Sequence, residues 1–277
     1  MYLRPTELKE ALGALSARGM TVLAGGTDFY PARVGQPVTG RILDITALAS
    51  LRGIREEATH IRIGALTTWS ELISHPLPGY FAGLKAAAHA VGGMQIQNAG
   101  TIAGNLCNAS PAADGIPPLL ALGAEVELAS AGKIRRLPLS DFILGNRRTA
   151  AAADELLTAV LVPHWGSAAR GNFLKLGSRR YLVISIVMVS VVLESGADGR
   201  VIRAGVSVGA CSEVAQRLPA LEKRLVDQPL SAALADVPEP ADFAALKPIT
   251  DVRGTQAYRR DAALTLVRRA LRELAGE

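Results

Sequence analysis

The chain has 277 residues, enough to bury a sizeable core as one large domain or two ordinary ones without external staples. Its 30 Lys and Arg against 25 Asp and Glu leave a formal charge of +5, spread along the chain, so nucleic-acid binding is not expected; an acidic partner subunit or an anionic cofactor would suit it equally well. Two cysteines, Cys107 and Cys211, with no CxxC pair, exclude a disulfide framework and a four-cysteine cluster held by this chain alone.

The start, Met1 to Pro5, lacks the apolar core of a secretory signal, and a reducing cytoplasmic setting is expected. Leu8, Ala11, Leu12 and Leu15 fall at helical spacing ahead of Gly19, which predicts an amphipathic helix over residues 7–18. A short strand over Met20 to Ala24 then runs into Gly25-Gly26-Thr27-Asp28, a tight turn where a ligand can approach the backbone. Strands are expected over residues 41–45 and 60–65, and helices over 69–74 and 81–91. Residues 92–118 are rich in Gly, Asn, Ser and Pro and read as a long functional loop. Regular structure resumes at 119–122 and 126–128, and a strand over 155–162 ends at Pro163.

Patterning stops at His164 to Ala169, which reads as an interdomain linker. Beyond it comes a strand meander, 172–176, 184–194 and 201–209, with a turn at Gly196-Ala197-Asp198-Gly199. The apolar run over 182–193 is interrupted by Ser185 and Ser190 and is far shorter than the ~20 residues of a membrane-spanning helix. Its β-branched residues suit a buried strand, and no membrane span is expected. A last helix is predicted from about Ala262 to Ala275, with Leu264, Val267, Leu271 and Leu274 on one stripe. Arg268, Arg269 and Arg272 on its other faces, with Arg259 and Arg260 before it, form the most basic part of the chain and read as a solvated face or a subunit contact.

Two glycine-rich stretches carry the chemistry: Leu23 to Phe29, and Asn98 to Leu106. In each, glycines let consecutive N–H groups converge on phosphate oxygens, while Thr27, Thr101 and Asn105 add side-chain donors. Neither is a GxGxxG opening a helix or a GxxxxGK[ST] loop, so dinucleotide folds of those types are not expected. Asp114, beside Gly115, could accept hydrogen bonds from ribose hydroxyls. The GxSxG at 205–209 would mark a nucleophile elbow, but all four histidines precede Ser207, whereas a hydrolase of that class has its histidine after the serine. Those histidines also lack any metal-ligand spacing, and no metal site is expected.

AGGTDF at 24–29 and TIAGNLCNASPAADGIPPLLALGAEVEL at 101–128 resemble the FAD-binding subunits of the xanthine dehydrogenase and carbon monoxide dehydrogenase family. ELLTAVLVP, FLKLGSRR, IRAGVSVGA and TDVRGTQAYRRDAALTLVRRAL resemble later segments of that family in the same order. The resemblance implies an α+β fold: a two-part FAD-binding domain over 1–165 (about 1–53 and 54–165), then a smaller α+β domain with an antiparallel sheet over 170–277. It implies that FAD is the cofactor, with its diphosphate on Leu23, Ala24, Gly25, Gly26, Thr27, Asp28 and Phe29 and on Thr101, Ile102, Ala103, Gly104 and Asn105. By the same likeness Asp114 would hold the ribose, Leu157 would pack near the adenine or flavin, Lys175 would lie close to the flavin, and Tyr181 would cover its ring. The implied role is electron transfer within a multi-subunit molybdenum hydroxylase, beside a molybdenum-cofactor large subunit and a 2Fe-2S small subunit, with no catalytic residue of its own. The cysteine-rich insertion of some relatives is missing from this sequence. A self-contained FAD oxidoreductase is the alternative, though it needs its own substrate pocket.

Overall fold

The computed structural model describes residues 1–276; Glu277, the last residue of the expected C-terminal domain, lies outside them. The chain opens with β1 (Tyr2–Leu3) and α1 (Leu8–Ser16), then β2 (Met20–Leu23) and β3 (Arg41–Asp44). The three strands form a small sheet of order β1-β3-β2, parallel throughout, and α1 buries Ala11, Leu12 and Leu15 in its core. The helix stops short of residue 18 because Arg18 and Gly19 both take positive φ, 53° and 74°, which turns the chain into β2.

A second, fully antiparallel sheet follows. Its strands are β4 (Ile54–Glu56), β5 (His60–Gly64), β6 (Glu125–Ala129), β7 (Ile134–Pro138) and, after the short ribbon of β8 (Ile143–Gly145) and β9 (Arg148–Thr149), β10 (Leu156–Pro163). The order is β4-β5-β10-β6-β7. The nearly unbroken apolar run of β10 places it in the centre, buried on both faces. β7, with its alternating exposure, two arginines and terminal proline, occupies an edge.

Between β5 and β6 the expected loop at 92–118 is instead largely helical. After α2 (Trp69–Ser74) and α3 (Ala82–Ala90) come α4 (Met94–Ala99), α5 (Ile102–Asn108) and α6 (Ile116–Ala121). Six or seven residues make a poor helix in isolation. Here α5 survives because Ile102, Ala103 and Leu106 are buried and the Thr101 hydroxyl accepts from the Gly104 N–H. Composition read these residues as loop because the stabilisation comes from tertiary packing and a cap. A single turn, α7 (Leu139–Phe142), buries Leu139 and Phe142 beside the second sheet.

The C-terminal sheet is β11 (Arg170–Leu176), β12 (Val187–Ser195), β13 (Val201–Gly209) and β14 (Gln216–Arg217), antiparallel in that order. One face packs under α8 (Pro219–Leu225) and α9 (Gln256–Leu274) through Val189, Val191, Val206, Leu221, Val267 and Leu271. The other receives α3 and α6. Those contacts are backbone-close: a Cβ on Gly83 would stand 2.5 Å from the Asn172 carbonyl oxygen. Ser207 lies inside β13, fully buried, donating to the Pro117 carbonyl at 2.6 Å, so the GxSxG pattern is strand interior and no elbow.

The last helix departs from its sequence expectation. α9 begins six residues before the expected Ala262, capped by the Thr255 hydroxyl, and Arg259 is buried instead of lying on a basic surface: its guanidinium donates to the Ile186 and Ala210 carbonyls and pairs with Asp251 at 2.8 Å. The expected linker, 164–169, has no regular structure but is firmly held. Trp165 donates its indole N–H to the Leu122 carbonyl at 3.1 Å, and Arg203 stacks 3.7 Å from the Trp165 ring.

Candidate functional site

The two glycine stretches meet. β2 delivers Gly25 against the junction between α4 and α5, where a Cβ on residue 25 would stand 1.9 Å from the Ala99 carbonyl oxygen and 3.0 Å from the Gly100 Cα. Only glycine permits that approach. Gly26 then takes φ +74°, with the Tyr30 ring packed over its Cα. The turn that results bends the chain so that the Tyr30 N–H bonds the Gly26 carbonyl at 3.1 Å.

A cleft of about 670 Å³ opens at this junction. Of the expected site residues, Leu23 to Phe29, Thr101, Ala103, Gly104, Asn105, Asp114 and Leu157 line it. Ile102 is instead turned into the core, 1% exposed. Tyr181 is 66% exposed, outside the cleft, on the loop between β11 and β12, with Arg180 stacked on its ring. Lys175 stands behind Asp114, outside the lining, and bonds it directly.

The two stretches differ in what they offer an anion. Among the described residues, none of the five consecutive N–H groups from Gly25 to Phe29 donates to a protein acceptor. In the second stretch every N–H from Ile102 to Asn105 is already engaged, by the Thr67 and Ala65 carbonyls, the Thr101 hydroxyl and the Thr101 carbonyl. The first loop thus leaves a row of main-chain donors unengaged by the protein, whereas the second has its N–H groups from 102 to 105 bonded within the fold. Asn105 adds a buried Oδ1 with no partner among the described residues. Gly115 lies against that oxygen and the Trp69 ring, so Trp69 spaces Gly100 from Gly115 and sets the width of the floor.

Asp114 is 8% exposed and is held by Lys175 Nζ at 2.8 Å from Oδ1 and 3.0 Å from Oδ2, with the Ser185 hydroxyl 3.3 Å from Oδ1. Burial pushes its carboxyl above the usual carboxylate range, opposed by the Lys175 ammonium and the Ser185 hydroxyl. Sequence reasoning missed Trp69, Arg33 and the stretch carrying Arg147, Thr149 and Glu155, all of which line the cleft. Arg33 was legible in principle: Pro31 starts a short 3-10 turn that folds it back four residues onto Phe29, 3.9 Å from the ring and bonded to the Phe29 carbonyl. Arg147 comes from the β8–β9 ribbon and had no motif to announce it.

A large cleft with an unspent row of main-chain donors, a glycine cradle that any Cβ would fill and an orphaned buried amide oxygen fits a long dinucleotide-type cofactor. Residues 1–165 match the model of the FAD binding domain in molybdopterin dehydrogenase, and residues 172–274 match the CO dehydrogenase flavoprotein C-terminal domain. The chain is 33% identical over 240 residues to the nicotinate dehydrogenase FAD-subunit of Eubacterium barkeri, covering 83% of this chain and 80% of that one. It is 28% identical to the carbon monoxide dehydrogenase medium chain of Hydrogenophaga pseudoflava, covering 98% and 95%. Among solved structures, reconstituted CO dehydrogenase from Oligotropha carboxidovorans contains a chain that superposes with a TM-score of 0.88 at 29% identity, covering 99% of this chain and 96% of that chain.

Proposed function

Because this chain belongs to the FAD-binding, or medium, subunits of the molybdenum hydroxylase family, an oxidoreductase component with FAD as its cofactor, we propose that it forms the electron-exit end of such a complex. In this reading it stands beside a molybdenum-cofactor large subunit and a 2Fe-2S small subunit, receives electrons from the iron–sulfur clusters and passes them to an external acceptor. Bound FAD supplies the redox chemistry, accepting and releasing the electrons.

The chain's own residues bind, orient and shield. Gly25 to Phe29 would hold the diphosphate through main-chain N–H groups, with Thr101 to Asn105 as the opposing wall and the Asn105 amide as a further contact. Asp114 would accept from a ribose hydroxyl, and Leu157 would pack against a ring of the cofactor. Tyr181 would reach a flavin only if its loop folded inward, and Lys175 would act from behind Asp114. The FAD-binding unit would span 1–165 and the second domain 170–277.

The observation that carries this reading is the row of five unspent N–H groups on a glycine turn, facing a cleft of about 670 Å³. Purification of the native complex tests it. The expected result is this chain with two companion chains, molybdenum, iron and a flavin absorbance stoichiometric with this chain. A chain that purifies without companions, colourless, and takes up no added FAD would contradict it.

A further inference from the structure

Asp114 joins two halves of the molecule that are distant in sequence. It stands between α5 and α6 on the cleft, while its partners come from the C-terminal half: Lys175 near the end of β11, and Ser185 just before β12. Lys175 is spent there. Its ammonium touches both carboxylate oxygens and lies 3.5 Å from the Ala90 carbonyl at the end of α3, with 13% of the side chain exposed. Ser185 is 2% exposed. A carboxylate has about four lone-pair directions. The protein's hydrogen bonds occupy two of them, from Ser185 to Oδ1 and from Lys175 to Oδ2, with the ammonium also in ion-pair contact with Oδ1, and leave acceptor capacity for a donor entering from the cleft.

We infer that Lys175 and Ser185 are positioning residues: they hold Asp114 ionised and fixed in orientation, so that its unoccupied acceptor capacity stays available to a hydroxyl of the ligand in the cleft. The inference rests on reading that cleft as the FAD site. The Lys175 side chain then acts on the cofactor through Asp114 and not by touching the flavin. Lys175 is the one charged group that acts on Asp114 among the described residues; Ser185 contributes a neutral hydroxyl. Asp28, Arg33, Arg147 and Glu155 line other parts of the same cleft. Without Lys175, only the neutral Ser185 hydroxyl offsets the desolvation of the buried carboxyl, which then takes up a proton at higher pH. Protonation turns one lone pair of Asp114 into a donor and removes the charge, so the ligand hydroxyl faces a weaker, neutral acceptor.

The test is the dissociation constant of FAD for the FAD-depleted full chain, read from flavin fluorescence across pH 5 to 9. In Lys175→Met the acid-side loss of affinity should move to higher pH, with affinity falling about tenfold per pH unit below the new midpoint, the slope of one proton. Lys175→Arg should keep the wild-type profile. Asp114→Asn should bind more weakly but without the acid limb, and the neutral double variant Asp114→Asn with Lys175→Met should follow Asp114→Asn at every pH. A Lys175→Met profile parallel to wild type, weaker by one factor at all pH values, would reduce Lys175 to a structural role and overturn the inference. So would an acid limb that persists in Asp114→Asn. Should Lys175→Met fail to fold, the double variant decides, because it leaves no buried unpaired charge: a flat profile supports the inference and a wild-type limb overturns it. Failure of the wild-type chain to bind FAD at all would instead remove the reading of the cleft.

Discussion

Cys107 faces the cleft from α5 and is exposed, while Cys211 is fully buried in the second core. The Cys107 thiol is nonetheless hemmed in by the concave wall, and that desolvation pushes it up to about 12. A slow maleimide should therefore label one cysteine in the FAD-depleted chain, and saturating FAD should suppress that labelling several-fold. Mass spectrometry of the labelled peptide would read this. Equal labelling with and without FAD would mean that the cofactor does not lie over α5. At this scale the sequence was informative where chemistry needs a particular residue, as at Gly25, whose missing Cβ is the condition for the two motifs to meet. It was uninformative where a residue serves by position alone. Nothing local marks Trp69 as a spacer between two glycines, or Arg259 as a buried guanidinium whose acceptors are carbonyls some 50 to 70 residues away in sequence.

Elements with strong periodicity and burial were legible from pattern: β10, β12 and β13 are apolar runs that could only be interior strands. The short helices of the cleft wall were not, because α4 and α5 draw their stability from neighbours and caps. Another tertiary effect sits on the second sheet. Glu127 of β6 is 6% exposed and accepts from Arg62 of β5 at 2.7 Å, Arg136 of β7 at 3.0 Å and Thr158 of β10 at 2.9 Å, so one carboxylate ties four strands. Burial alone would raise its pKa, but the hydrogen bonds from Arg62, Thr158 and Arg136 outweigh it and hold the carboxyl at about 2. A group with a lowered folded pKa stabilises above its unfolded pKa of 4.5 and loses that contribution as pH falls toward 2. Glu127→Gln should cost about 2 kcal/mol at pH 7, after discounting for screening by solvent. The difference from wild type in urea unfolding should shrink between pH 4.5 and 2. A difference that stays constant across that window would show that the arginines contribute packing and no charge pairing.

On the scale of the whole molecule, the cleft belongs to the first 165 residues, yet the sheet that follows braces it. α3 and α6 lie on that sheet at backbone distance, with Gly205 of β13 leaving room for the Ala121 carbonyl oxygen, from which a Cβ would stand 2.0 Å away. The held segment around Trp165 and the Asp114–Lys175 pair cross the same boundary. Order of motifs along the chain was enough to suggest the family. The division of labour between the two glycine stretches was not, because it depends on which N–H groups the fold has already engaged. That division makes ligand recognition depend on a diphosphate. The most direct measurement is an equilibrium titration of the FAD-depleted full chain with FAD, FMN and riboflavin. One FAD per chain is expected, with FMN and riboflavin at least about tenfold weaker, since of the three only FAD carries a diphosphate for the Gly25 to Phe29 donors to hold. Equal binding of all three, or no binding of FAD, would contradict it.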